Sequence, residues 1–214
     1  MNIVITGANR GIGQALLSHY QTRGDAVIGT SRSGGVLSQL DVTDPAQQGA
    51  FANELDGAAI DLLICNAGVY HDKHETLNGG FPDHMWADTF ATNVTGVFLT
   101  VQSLLGNLRS ARTPKIAIIS SKMGSQTLAP GGSYMYRASK AAVLNLGRNL
   151  SVDLKPENIA VGIYHPGWVK TDMGGPDGDI TIQQSTGGLT ERFDELSLDT
   201  TGCFRTWDGQ DIPY

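Results

Sequence analysis

The sequence has little cysteine and no long apolar run. Its two cysteines, Cys65 and Cys203, cannot form a disulfide framework. Both lie in apolar stretches, so we expect small buried thiols in a reducing compartment, the cytoplasm. No run reaches the roughly 18 consecutive apolar residues typical of a membrane span. Met1 leads at once into an apolar run without a basic segment, so we expect neither a membrane partner nor a signal peptide.

An excess of positive charge is also missing, because the formal net charge is −6. This charge argues against nucleic acid and anionic membrane surfaces as partners. Hydrophobic residues make up 40% and charged residues 17% of the chain, as in ordinary globular proteins. A chain of 214 residues without repeats or linkers predicts one domain that covers residues 1–214.

A glycine-rich turn follows the first apolar run. Residues 2–6 read as a strand, Gly7, Gly11 and Gly13 come next, and an apolar helical pattern then continues to Tyr20. A strand, a glycine turn and a helix are the start of a dinucleotide-binding unit. The glycines allow the backbone to approach a pyrophosphate at the helix N-terminus. A purely structural turn is the alternative interpretation.

The second apolar run lacks the acidic residue that NAD-binding proteins usually carry after it. No Asp or Glu occurs between Ala26 and Leu40, and Ser31 and Arg32 stand at that place. Because guanidinium groups bind phosphate in a bidentate manner, Arg32 together with Arg10 predicts a clamp for a 2′-phosphate. We therefore expect NADP(H) in preference to NAD(H), with two solvated surface arginines as the alternative.

Strand and helix patterns alternate along the rest of the chain, which predicts an α/β fold with a doubly wound parallel sheet of about seven strands and helices on both faces. The second crossover helix should be absent or a single turn, since few residues separate strands two and three. The predicted strands are 2–6, 26–30, 36–40, 60–65, 115–121, 159–164 and 203–207. The later helices are 45–55, 82–108, one that follows Gly132, contains Tyr136 and continues through Leu154, and 182–196.

Polar residues follow the carboxyl ends of several predicted strands, where such sheets bind ligands. They are Asp41 and Val42 after strand three, Asn66, Ala67 and Gly68 after strand four, Ser121 after strand five, and residues 166–171 after strand six. Three histidines follow Gly68, namely His71, His74 and His84. No two of them are spaced as a metal-binding pair on one predicted helix, so we do not expect a metal site. We interpret that segment as an exposed loop on the substrate side.

Tyr136 and Lys140 lie four residues apart in a helical pattern, so they share a helix face. A nearby ammonium should lower the tyrosine pKa from about 10, which would make the pair a general acid/base. The alternative is an ordinary amphipathic helix in which the two residues fall four apart by chance.

Taken together, these motifs resemble those of the short-chain dehydrogenases/reductases over nearly the whole chain. The residues that carry the resemblance are 6–13, 66–68, Asn93, Ser121, 136–140 and 166–171. The short final segment and the Tyr-Arg-Ala-Ser-Lys stretch are similar to the carbonyl-reductase and C-factor-like branch.

The resemblance implies a site residue by residue. Tyr136 would exchange a proton with a carbonyl or alcohol, Lys140 would lower its pKa, Ser121 would hold the substrate oxygen, and Asn93 would support a proton relay. Ser121 lies fifteen positions before Tyr136, about two more than the family pattern, which makes Ser120 a minor rival. The implied cofactor-binding residues are Gly7, Asn9, Arg10, Gly11, Ile12, Gly13, Ser31, Arg32, Asp41, Val42, Asn66, Ala67, Gly68, Tyr136, Lys140, Pro166, Gly167, Val169 and Thr171.

The implied activity is NADP(H)-dependent interconversion of a small carbonyl compound and an alcohol, and a homo-oligomer remains open. Two alternatives stand beside it, because a fold does not fix a function. One is a non-catalytic nucleotide-sensing or signalling protein, although none of Ser121, Tyr136 and Lys140 is lost. The other is the sugar epimerase or dehydratase branch, which shares the Tyr and Lys but is similar to longer chains with different glycine spacing.

Overall fold

A computed structural model describes residues 1–214, and its centre is one parallel sheet of seven strands. In chain order the strands are β1 (Asn2–Ile5), β2 (Ala26–Ser31), β3 (Ser38–Gln39), β4 (Leu62–Cys65), β5 (Lys115–Ile119), β6 (Ala160–His165) and β7 (Phe204–Thr206). Their order across the sheet is β3-β2-β1-β4-β5-β6-β7. The order reverses between β1 and β4, which is where a doubly wound sheet opens a ligand-binding crevice. The predicted fold is therefore confirmed.

Seven α-helices and one π-helical segment connect the strands. They are α1 (Gly11–Arg23), α2 (Pro45–Glu54), α3 (Asp83–Phe90), the π-helical segment (Ala91–Thr95), α4 (Gly96–Ser103), α5 (Leu105–Arg109), α6 (Tyr134–Leu154) and α7 (Ile182–Glu195). None of the helices combines the length and apolar content that crossing a bilayer requires. Short 3₁₀ turns at Lys122–Gly124 and Lys155–Glu157 complete the elements.

Successive strand residues point to opposite faces of the sheet, and both faces are buried. Val4 and Leu63 pack into a cluster of 18 buried residues on the side of α2, α4 and α6. Ile5 and Ile64, one position along, pack into a second cluster of 13 residues with α1 and α7. This burial on both faces explains why the strands are apolar along almost their whole length. The two packed layers also hold in place the carboxyl ends of the strands, which the polar residues follow.

Three details differ from what the sequence indicates. The connection between β2 and β3 contains no helix, as predicted, but β3 is only two residues long. The predicted helix over residues 82–108 is broken, because a π-helical turn occupies Ala91–Thr95 and Leu104 leaves helical geometry with ψ of 7°. Cys65 is buried, and burial raises its pKa to about 12. Cys203 is only half-buried, so the expectation of a buried thiol is wrong there.

Candidate active site

A cleft opens at the carboxyl edge of the sheet, over the point where the strand order reverses. It collects polar residues from β1, β2, β4 and β5, from the start of α1, and from α6. Its lining comprises Gly7, Asn9, Arg10, Gly11, Ile12, Gly13, Ser31, Arg32, Ser33, Leu40, Asp41, Val42, Asn66, Ala67, Gly68, Val69, Thr92, Ile119, Ser120, Tyr136, Lys140, Pro166, Thr171, Asp172 and Met173. Most of the sequence-predicted cofactor residues therefore meet in one place.

The glycine turn after β1 depends on close packing. Gly7 has φ of +65°, and a Cβ there would lie 2.9 Å from the Ala67 Cα. Gly13 packs so tightly that a Cβ would meet the Gly7 carbonyl oxygen. Asn66 ties this turn to β4, because its Nδ2 donates to the carbonyl oxygens of Thr6 and Gly7, each at 3.0 Å. Side chains larger than hydrogen would displace the turn from the floor of the cleft.

The first turn of α1 faces the cleft without a side-chain cap. Arg10 occupies the N-cap position and makes no capping hydrogen bond, and the first turn holds no acidic residue. Its backbone N–H groups and the positive end of the helix dipole therefore suit a phosphate group. Gly11 lies opposite Thr171, since a Cβ on Gly11 would meet only the Thr171 Cγ2, at 3.8 Å. These observations fit the pyrophosphate of a dinucleotide.

Both arginines, Arg10 and Arg32, line the cleft. Arg32 is exposed and makes neither an ion pair nor a hydrogen bond. Arg10 contacts Asp172 through an ion pair of 3.2 Å between Nη1 and Oδ2, and both side chains are largely exposed. Asp41 also lines the cleft, where its Oδ1 accepts hydrogen bonds from the N and Oγ1 of Thr43. The end of β2 itself therefore offers cations and hydroxyl groups rather than carboxylates.

Lys140 and Tyr136 are both buried on the cleft-facing side of α6. The Lys140 Nζ donates to the carbonyl oxygen of Ile119 at 2.9 Å and lies 5.6 Å from the Tyr136 ring centroid. Ser121, at the end of β5, accepts a hydrogen bond from the N–H of Met123 through its Oγ. Ser120 instead donates through its hydroxyl to the carbonyl oxygen of Lys140 at 3.1 Å. The Ser121 hydroxyl lowers the pKa of the Tyr136 phenol, whereas the Ser120 hydroxyl is bonded to the backbone. Ser121 is therefore favoured over Ser120 as the partner of Tyr136.

Burial controls the charges of this pair. It raises the pKa of Tyr136 well above the ordinary value, while the neighbouring Ser121 hydroxyl lowers it and Tyr70 and Asp72 raise it further. Burial also lowers the pKa of Lys140 to about 8. Lys140 does not lower the tyrosine pKa, so that expectation is wrong for the protein by itself. The physical reason is that desolvation disfavours the charged form of both groups.

Asn93 is buried inside the π-helical segment. Its Oδ1 accepts from the N–H of Val69 at 2.8 Å, and its Nδ2 donates to the carbonyl oxygen of Val69 and to the Oγ of Ser139. Gly68 is the residue between Asn93 and Lys140, because a Cβ there would lie 3.3 Å from the Asn93 Oδ1 and 3.7 Å from the Lys140 Nζ. Asn93 thus fastens the loop after β4 to α6, and its polar group borders the space beside Lys140.

Two predicted cofactor residues do not line the cleft. Val169 is buried, and Gly167, with φ of +92°, packs against Ile180. Pro166 and Thr171 are the members of that stretch that line the cleft, and the Thr171 Oγ1 accepts from the N–H of Gly174. The histidines His71, His74 and His84 are exposed and lie outside the cleft, and no group of three metal-ligating side chains occurs anywhere in the structure.

Three side chains of the loop after β4 make contacts that the sequence pattern does not predict. The Tyr70 ring stacks on the Tyr136 ring with 4.1 Å between centroids. Asp72 accepts hydrogen bonds from the first turn of α6. Lys73 donates through Nζ to the carbonyl oxygens of Met173 and Gly174, at 3.2 and 3.1 Å. These residues belong to the loop that the sequence marks only as polar and exposed.

Comparisons with known proteins agree with this geometry. The family model for short chain dehydrogenases matches residues 1–179. C-signal of Myxococcus xanthus is 36% identical over 169 residues, which cover 77% of this chain and 99% of that protein. The 3-oxoacyl-(acyl-carrier-protein) reductase FabG of Escherichia coli is 30% identical over 185 residues, which cover 79% and 74%. The chain belongs to the short-chain dehydrogenase/reductase family.

Solved structures narrow the resemblance to one kind of enzyme. NADPH-bound carbonyl reductase from chicken fatty liver superposes with a TM-score of 0.90 at 31% identity, covering 100% of this chain and 98% of that one. Carbonyl reductase Sniffer of D. melanogaster gives a TM-score of 0.91 at 26% identity, covering 100% and 99%. The similarity supports an oxidoreductase of the carbonyl-reductase-like branch. The Rossmann-like fold is thereby confirmed.

Proposed function

We propose that this protein reduces small carbonyl compounds to alcohols with NADPH, and that Tyr136 is the proton donor. The observation that carries the proposal is that one cleft is lined both by the buried pair Tyr136 and Lys140 and by two arginines, Arg10 and Arg32. The comparisons add that the chicken carbonyl reductase is solved with NADPH bound.

The chain's own residues would hold the cofactor along the cleft. Arg32 and Arg10 would bind the 2′-phosphate, and the uncapped first turn of α1 would bind the pyrophosphate. Lys140 and Thr171 would hold the nicotinamide end. When bound, NADPH supplies the hydride for the carbonyl carbon. The protein contributes the orientation of the reactants and the supply of one proton.

Proton donation follows from the pKa directions. Ser121 would bind the carbonyl oxygen beside the phenol, and Tyr136 would give its proton to that oxygen as the carbon receives the hydride. The phenol with its raised pKa is protonated near neutral pH and so has a proton to give, while the same shift makes it a weaker acid than a free tyrosine. Lys140, with its lowered pKa, would return a proton to Tyr136, and Asn93, which lies near Lys140 on the Gly68 side, would support the relay that reprotonates Lys140.

We assign substrate entry to an apolar rim formed by three exposed side chains on the segments that follow β5 and β6. Leu128, Tyr134 and Trp168 each expose about two fifths of their surface, at 43%, 39% and 45%. The glycine-containing segment after Thr171 is fastened rather than loose, because the Trp168 Nε1 donates to the carbonyl oxygen of Gly174 at 2.9 Å and Lys73 holds the same oxygen. An apolar rim gives only modest discrimination, so we expect turnover of several small aldehydes, ketones or quinones.

Tyr136→Phe tests the proposed function directly. The change removes one hydroxyl and keeps the ring that stacks on Tyr70, so folding and NADPH binding should persist. Turnover should fall by about 10²–10⁴, the usual contribution of general acid catalysis. The measurement is NADPH consumption on a panel of carbonyl compounds, with the NADPH dissociation constant as the control. Parent-like turnover by the variant would contradict the assignment of Tyr136.

A second candidate is a nucleotide-dependent signalling protein. It rests on the 36% identity with C-signal, a protein that this chain covers almost completely. The same measurements discriminate the two candidates. Tight NADPH binding without turnover of any carbonyl compound would favour the signalling protein.

We further propose that residues 1–214 act as one domain in a reducing compartment such as the cytoplasm. One continuous sheet runs through the chain from β1 to β7, and both cysteines are free thiols.

A further inference from the structure

The N-terminus of α6 is capped from a distant part of the chain. Ser133 occupies the N-cap position with φ of +48° and makes no capping hydrogen bond. The Asp72 carboxylate takes that role from the loop after β4, 63 residues earlier than its first partner. Its Oδ2 accepts from the N–H of Met135 at 2.8 Å, and its Oδ1 accepts from the N–H of Tyr136 at 3.3 Å. The residue with the proposed proton-donating phenol is therefore itself held by Asp72.

Asp72 is a costly residue to place there. It is 1% exposed, and no cation lies within ion-pair distance of its carboxylate. A buried carboxylate without a cation needs hydrogen-bond donors, and the two amides and the positive helix end supply them. A serine cap on Ser133 would satisfy one of these amides without burying a charge. The Ser133 hydroxyl instead bonds to the Tyr70 hydroxyl.

The same loop also contacts the ring of Tyr136. Tyr70 stacks on it with 4.1 Å between ring centroids and 22° between ring planes. The backbone of Tyr136 is thus fixed by Asp72 and its ring by Tyr70. Four polar groups face the phenol from the surrounding elements, and they belong to Tyr70, Asp72, Ser121 and Lys140.

We propose that Asp72 is a positioning residue that fixes the first turn of α6 and thereby aims the Tyr136 phenol at the substrate. This inference rests on the proposed reductase function. It has a second consequence, because the negative charge of Asp72 disfavours the phenolate. Beside the larger effect of burial, Asp72 helps to keep Tyr136 protonated.

Two variants separate the hydrogen bonds from the charge. Asp72→Asn keeps an oxygen acceptor for the helix amides and removes the charge. Asp72→Ala removes both. A matched control is Asp44, which caps α2 by accepting from the N–H groups of Ala46 and Gln47 at 2.8 and 3.4 Å and does not line the cleft. Asp44→Ala removes an N-cap of the same chemistry elsewhere in the protein.

For Asp72→Ala we expect kcat to fall by about 10- to 100-fold, as when a reacting group is misplaced by about 1 Å. The NADPH dissociation constant should stay within about twofold of the parent, since Asp72 touches no part of the cofactor region of the cleft. Asp72→Asn should recover most of kcat. Asp44→Ala should leave kcat unchanged.

Amide hydrogen exchange provides a readout that does not need turnover. The amides of Met135 and Tyr136 should exchange faster in Asp72→Ala than in the parent and in Asp44→Ala. If the parent reduces no carbonyl compound yet these amides respond, the proposed function fails while the fixing of the α6 turn stands. Unchanged exchange, parent-like kcat in Asp72→Ala, or a loss equal to that of Asp44→Ala would overturn the proposal. If Asp72→Ala does not fold, Asp72→Asn decides: asparagine has one acceptor oxygen for two amides, so the amide of Met135 or of Tyr136 should exchange faster than in the parent, and unchanged exchange of both would overturn the proposal.

Discussion

Arg32→Ala is the sharpest perturbation of cofactor choice that the structure offers. Arg32 lines the cleft, is exposed and has no partner in the protein, so its removal breaks no existing contact. A hydrogen bond to a charged group contributes about 1.5–3 kcal/mol. Solvent exposure places Arg32 near the lower limit. We expect NADPH to bind about tenfold more weakly to the variant, because 1.4 kcal/mol corresponds to a factor of ten.

Arg10 should contribute less than Arg32 to NADPH binding. Its guanidinium already pairs with Asp172 at 3.2 Å, and an exposed ion pair is worth about 0.2–1 kcal/mol. Binding a phosphate must offset the loss of that pair. Asp172→Asn should therefore tighten NADPH by up to about fivefold, since it frees Arg10 and removes a negative charge from that end of the cleft.

The assay is a fluorescence titration with NADPH and NADH at one ionic strength, because these contacts are screened by salt. NADH lacks the 2′-phosphate, so its dissociation constant should change by less than about twofold in Arg32→Ala. Arg112→Ala is the matched control, since Arg112 is an exposed arginine beside the amino end of β5, at the opposite edge of the sheet. Equal weakening of NADPH and NADH in Arg32→Ala, or equal dissociation constants in the parent, would refute the clamp.

Two further predictions concern the glycine-containing segment after Thr171 and the stability of the protein in acid. Lys73→Met removes the two hydrogen bonds to the carbonyl oxygens of Met173 and Gly174 and roughly keeps the length of the side chain. KM for the carbonyl substrate should therefore rise about two- to tenfold while kcat is preserved. A loss of kcat with an unchanged KM would contradict this prediction. Burial lowers the pKa of His165 to about 4 from an ordinary 6.5, so between these pH values the folded protein binds fewer protons than the unfolded chain. As the pH falls from 6.5 to 4, the free energy of unfolding should therefore fall by about 3 kcal/mol because of this group. Urea unfolding across that range should show a shallower decline for His165→Gln, and parallel curves would refute the assignment.

The sheet and the pairing of Tyr136 with Lys140 on one helix face follow from local patterns. Strands such as β4 are apolar throughout because both faces are buried, and that pattern is readable without tertiary information. Tyr136 and Lys140 share a helix face by their spacing alone. The glycine turn is equally local, since Gly7 needs its positive φ. These features need only neighbours in sequence, and the sequence predicts them correctly.

The break in the helix over residues 82–108 could not be predicted in this way. Its π-helical turn places Asn93 where the side chain bonds to Val69 and Ser139, which are 24 and 46 residues away. The cap of α6 is a second case. Ser133 occupies the N-cap position and is a residue type that often caps helices, yet Asp72 caps α6 from the loop after β4. Both features depend on contacts between segments that are distant in the chain.

The directions of the pKa shifts of Tyr136 and Lys140 also depend on tertiary structure, and they bear on the proposed reaction. Sequence spacing suggests that the Lys140 ammonium lowers the pKa of Tyr136, but burial raises the tyrosine pKa and lowers that of Lys140 to about 8. The two shifts have opposite effects on the two proton transfers of the proposed reaction. A higher tyrosine pKa makes proton donation to the substrate harder, and it makes return of a proton from Lys140 easier by the same amount. Because both groups end the cycle in the state in which they began it, desolvation sets the protonation states from which the proposed reaction starts and does not set its direction.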